Sequence, residues 1–184
     1  MNKKLKINDV IKVKFIGREE IFIVEDIIEN NDNLLIKTTQ NNIKTFLNLS
    51  RLKYELVYNE KGIYICGASK NNEIYNSIIL NESVLIQNNG TITNKTIEID
   101  FSIRQKSVAN IYIFATNKIQ QQTISYLIDD SNKYPEKTYI YTDLENVDYS
   151  LREDIRFAKK VALKNGCIEL FSISEINDII KNNT

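Results

Sequence analysis

The 184-residue sequence contains no histidine, one proline, five glycines and two cysteines. The missing histidine excludes Ser-His-Asp catalysis, histidine metal sites and nuclease mechanisms built on an imidazole. The five glycines are scattered, so no glycine-rich loop that cradles phosphate is present. Cys66 and Cys167 lie far apart and match no zinc spacing. They read as reduced, partly buried thiols of a cytosolic protein. Charge is balanced, with 24 basic and 24 acidic side chains, so net charge offers no argument for nucleic acid and only local patches count. The N-terminal MNKKLKINDV lacks an apolar core of signal-peptide length, and no stretch reaches about 18 apolar residues. The expectation is a cytoplasmic protein without membrane contact.

What is present is a run of short strands followed by alternating strands and helices. Residues 10–16, 21–28, 34–39, 43–47 and 54–57 are β-rich and separated by turn signals such as Gly17-Arg18-Glu19-Glu20 and Gln40-Asn41-Asn42. Five short strands at this spacing predict a small SH3-like barrel over residues 1–58. Lys3, Lys4, Lys6, Lys12, Lys14 and Arg18 could make it a docking module for nucleic acid or a protein partner. Asp9, Glu19 and Glu20 dilute that patch.

Asn59-Glu60-Lys61-Gly62 marks the boundary to a second domain, 59–184. There, residues 63–66 read as a short apolar strand, 71–80 as a short helix and 84–87 as a strand. Residues 96–104 alternate strictly, with Ile97, Ile99, Phe101 and Ile103 against Glu98, Asp100 and Ser102. Period two predicts a half-buried strand carrying carboxylates on its polar face. Residues 110–116 are nearly all apolar and predict a strand buried on both faces. Short turns between these early strands predict an antiparallel meander. Next come a helix over 119–129, a strand over 137–142 and a helix from a Ser150-Leu151-Arg152-Glu153 capping box to Lys164, stopped by Asn165-Gly166. A strand over 167–171 and a helix over 174–181 close the chain. The later alternation predicts parallel pairing, and the whole an α/β domain with a mixed sheet.

Three places carry a family resemblance. Glu98-Ile99-Asp100-Phe101 is similar to an acidic metal-binding strand of the form (E/G)-I-D-hydrophobic. Gln122-Thr123-Ile124-Ser125-Tyr126 is similar to a Gln-x-x-x-Tyr helix motif. The tail combines Tyr139-Ile140-Tyr141-Thr142, Ile155-Arg156-Phe157-Ala158, Cys167-Ile168-Glu169-Leu170-Phe171 and Ser174-Glu175-Ile176. In this order they resemble the PD-(D/E)XK, or restriction-endonuclease-like, fold, closest to its Mrr-type branch.

The resemblance implies a divalent-metal site, Mg²⁺ in an active member, with Asp100 as first ligand and a lysine helping to position the attacking water. Lys118 would be that lysine, Gln122 a further catalytic residue, and Glu98 or Glu73 substitute ligands. The third strand departs from the family's Glu/Gln-x-Lys, offering Phe114-x-Thr116, Ala115-x-Asn117 or Thr116-x-Lys118. The expected function is therefore DNA association by a nuclease-like fold with an eroded site. The alternatives are an active Mg²⁺-dependent endodeoxyribonuclease using Asp100 and Lys118, and a non-enzymatic interaction or assembly subunit. Oligomeric state stays open, with a dimer among the options.

Overall fold

β-Branched and aromatic residues crowd the first third of the chain, and there they pair antiparallel. The computed structural model describes residues 5–7, 9–30, 33–40, 43–58, 62–67, 73–79, 84–86, 94–116 and 121–183. It separates the chain into two units, Met1–Glu60 and Lys61–Thr184.

The first unit holds β1 (Val10–Phe15), β2 (Arg18–Ile23), β3 (Asp26–Asn30), β4 (Asn33–Gln40), β5 (Ile43–Asn48) and β6 (Lys53–Tyr58). They form two three-stranded sheets, β2-β1-β6 and β3-β4-β5, rather than one closed barrel. The single strand expected over residues 21–28 is two. Its chain leaves β1 after Val24, whose N–H reaches the Asp9 carbonyl at 2.9 Å, and joins β4 at Glu25, whose N–H reaches the Lys37 carbonyl at 2.9 Å. Ile11, Val13, Phe22, Val24, Ile36, Leu47 and Leu49 bury a core shared by both sheets.

The second unit holds β7 (Ile63–Cys66), α1 (Glu73–Ser77), β8 (Val84–Ile86), α2 (Asn94–Lys106), β9 (Ala109–Phe114), α3 (Gln121–Lys133), β10 (Thr138–Thr142), α4 (Tyr149–Lys164), β11 (Ile168–Leu170) and α5 (Ile173–Asn182). The five strands form one sheet in the order β11-β10-β9-β7-β8. Every pair in it is parallel. In chain order this is 2-1-3-4-5, a doubly wound sheet.

Two expectations are corrected here. The early strands form no antiparallel meander, and the stretch over residues 96–104 is helix α2, not a strand. The reason is topological. Parallel β8 and β9 cannot be joined by a hairpin and need a crossover, normally a helix. That requirement overrides the strand preference of isoleucine. Helical spacing shows in Phe101 and Arg104, one turn apart with the guanidinium 5.8 Å from the ring centroid.

The sheet is covered on both faces. α1 and α5 cover one, where Ile63, Ile65, Ile111 and Ile113 meet Ile78, Ile176 and Ile180. Asn177 on α5 ties the two helices together, accepting from Ile79 N–H at 2.8 Å and donating to the Ser77 carbonyl at 3.0 Å. Tyr64, Asn110, Tyr112 and Phe114 alternate onto the opposite face, toward α2 and α3. α4 packs beside α3, with Asn165 Nδ2 donating to Ser131 Oγ at 3.3 Å and Asn132 Oδ1 at 3.0 Å. α4 begins earlier than the expected capping box. Its N-cap is Asp148, whose carboxylate accepts from Ser150 N–H. It ends in a Schellman turn. Cys167 N–H reaches the Ala162 carbonyl and Gly166 N–H the Leu163 carbonyl, both at 3.1 Å, with Gly166 at φ +101°.

Candidate functional site

A doubly wound sheet reverses its strand order once, here between β7 and β9. α1 leads from β7 to β8 on one side, and α2 carries the chain back across to β9. The carboxyl ends of those two strands are where such sheets leave a ligand crevice. Gly67 follows β7 at φ +89°. A Cβ there would lie 2.1 Å from the Ile113 carbonyl oxygen and 3.4 Å from Thr123 Cγ2. Only glycine allows this approach. Thr123 sits in the first turn of α3, and its Oγ1 accepts from Cys66 Sγ at 3.5 Å. The end of β7, the end of β9 and the start of α3 therefore converge. The first turn of a helix presents backbone N–H groups without intrahelical acceptors and a positive dipole end.

Asp100, Gln122 and Tyr126 meet on the α2–α3 seam beside this point. Gln122 Nε2 donates to the Tyr126 hydroxyl. That hydroxyl donates to Asp100 Oδ2 at 3.3 Å. Burial, then the charge of Asp100, pushes the Tyr126 phenol up to about 12. It is a fixed donor across the physiological range, not a base. Burial likewise pushes the Cys66 thiol up to about 12, which rules it out as a nucleophile at neutral pH.

Beneath lies a buried ionic hub. Arg104 on α2 and Asp130 on α3 are 3% and 1% exposed at the side chain and pair at 2.6 Å. Arg104 also donates to the Tyr126 carbonyl at 3.2 Å and stacks 4.0 Å from the Tyr126 ring centroid. The other Asp130 oxygen accepts from Tyr112 at 2.7 Å and Asn110 at 2.9 Å. Lys137 Nζ closes the C-terminus of α2 by donating to the carbonyls of Arg104, Gln105 and Ser107 at 3.1, 2.7 and 2.8 Å. This hub orients α2 against α3, and so orients Asp100 against Tyr126.

The other expected site residues do not join them. Glu73 lies exposed on α1. That helix packs on the face opposite α2 and α3. Glu98 belongs to α2, but its side chain is outside the described residues. Lys118 also falls outside them. Phe114 is fully buried in the sheet. Among the described residues no three His, Cys, Asp or Glu side chains converge as metal ligands. No helix among them is long and apolar enough to cross a membrane.

Sequence reasoning missed Arg104, Asp130, Asn110, Tyr112 and Lys137. The signals were faint: an Asp100–Arg104 spacing of four inside an apparent strand, and Asn110 and Tyr112 two apart in a run read as apolar. The geometry defines a doubly wound α/β unit with a polar constellation at its topological switch point. Comparison with protein families, with characterised proteins and with solved structures found no match.

Proposed function

We propose that the protein binds a phosphate-bearing ligand of nucleotide type, free or within a nucleic-acid strand, at the carboxyl ends of β7 and β9. The observation that carries this reading is the convergence of Gly67, Thr123 and the first turn of α3 at the switch point. Phosphate would sit against the α3 N–H groups. Gln122 and the Asp100–Tyr126 pair would take polar groups of the sugar or base. The reading keeps the nucleic-acid association expected of a nuclease-like fold and drops the cleavage. Asp100 lies on a helix rather than on a strand beside a lysine-bearing one, and Glu73 is on the other side of the sheet. For the first unit we propose a small SH3-like accessory module, supported by its short antiparallel strands around one core.

Isothermal titration calorimetry with inorganic phosphate, adenosine diphosphate and a single-stranded oligonucleotide tests the proposal and separates the two sources of phosphate. Gln122→Ala should weaken the ligand that binds by about 5- to 30-fold, the loss of one hydrogen bond to a polar or charged group. No heat from any of the three at millimolar concentration would overturn it. Plasmid incubated with Mg²⁺ or Mn²⁺ should stay intact. Cutting that disappears in Asp100→Ala would restore the nuclease reading.

A further inference from the structure

α3 is flanked on two sides from its first turn onward. Gln122 and Tyr126 lie on the α2 side, in the seam with Asp100. Gln121, Ile124, Ser125 and Ile128 lie on the α4 side, where they line a groove of about 320 Å³ together with Asp154 and Phe157 of α4. At 3.6 residues per turn the two sets point about 130° apart around the helix axis. Thr123 and Leu127 occupy the side between them and are buried. Both flanks begin at the tip of the helix, since Gln121 is its first residue. From there the groove follows α3 for two turns, about 10 Å. A group held by the N–H donors of that tip is thus next to the seam and to the groove at once, whereas one nucleoside extends into only one of them.

The lining of the groove selects its occupant. Phe157 is 66% exposed, and half-buried Ile124 and Ile128 share the groove with it. An open phenyl ring beside aliphatic side chains is a stacking platform for a nucleobase, because every base has a π-face. Asp154 is the one charged side chain among the lining residues. It repels a phosphate and accepts from an amino group. Ser125 Oγ already donates to the Gln121 carbonyl at 3.1 Å, so its lone pairs remain to accept. The groove therefore suits a base carrying an amino group and turns away a second phosphate.

We propose that the site takes two adjacent nucleotides of a single strand, straddling the tip of α3. Their shared phosphodiester sits at the first-turn N–H groups, one nucleoside meets Asp100 and Gln122, and the base of the other stacks on Phe157. This rests on the switch-point phosphate reading and selects a strand over a free nucleotide. The test is calorimetry of the full chain with two probes of equal charge, the dinucleotide adenylyl-adenosine and the methyl phosphodiester of adenosine monophosphate. The dinucleotide should bind about 5- to 150-fold more tightly, the gain from stacking one further base. Phe157→Ala should bring it down to the affinity of the methyl diester, and Phe157→Trp should keep the gain. The melting temperature of each variant serves as the folding control, since Phe157 lies at the surface. Equal affinities for the two diesters, or a gain that survives Phe157→Ala, would overturn the two-nucleotide site and leave the phosphate reading standing. No binding of either diester at millimolar concentration would overturn both.

Discussion

Asp100 illustrates how one side chain changes meaning with its backbone. On a strand it would share a face with Glu98. On α2 its neighbours are Tyr126 across the seam and, one turn on, Arg104. Arg104→Ala should cost about 3–5 kcal/mol in urea unfolding, since it leaves the Asp130 carboxylate buried without its cation. A loss below about 1 kcal/mol would mean that water reaches the pair in solution. The thiols make a second residue-scale prediction. Burial pushes Cys66 up to about 12 and Cys167 to about 11. Neither should react with a thiol reagent in the native protein at pH 7, and both should react once it is unfolded. At the surface, the hydrogen bond from Lys12 holds the Glu55 carboxyl below its ordinary value of 4.5. The pair's contribution is thus in place above that pH and lost as pH falls through the lowered value. Glu55→Gln should flatten the acid limb of a stability profile there.

At the scale of elements, α2 is where sequence and structure part. Its alternating isoleucines fit a strand locally, but a crossover between parallel strands is decided by contacts far along the chain. The other helices were legible because their own residues mark them. Asn165-Gly166 stops α4, and the Gln122-to-Tyr126 spacing lies within α3. α3 nonetheless runs past its expected polar end to Lys133. Its last turn is supported by Ser131 Oγ and Asn132 Nδ2, which both donate to the Ile128 carbonyl at 2.8 Å. Ile99→Pro should cost about 3 kcal/mol or more, with loss of helical circular dichroism, because it falls in the interior of α2. Unchanged ellipticity would favour a strand. Gly67→Ala should destabilise by at least about 1–3 kcal/mol, because positive φ adds to the clash with the Ile113 carbonyl.

For the whole molecule, the legible part was local: short strands first, then strands alternating with helices. Strand order was not legible, because nothing in the residues 63–66, 84–86 and 110–114 states which neighbours they take. The candidate site divided along the same line. Asp100, Gln122 and Tyr126 were picked out and do meet, while their buried support at Arg104 and Asp130 depends on α2 lying across the sheet. The switch point between β7 and β9 follows only from the strand order, and it carries the functional proposal. The most direct test is a two-dimensional amide NMR titration of the full chain with whichever phosphate compound the calorimetry identifies. Expected are shifts clustered at Gly67, Thr116, Asp100 and the first turn of α3, with the opposite edge of the sheet silent. Shifts confined to the amino ends of the strands, or none at saturating ligand, would contradict a switch-point site.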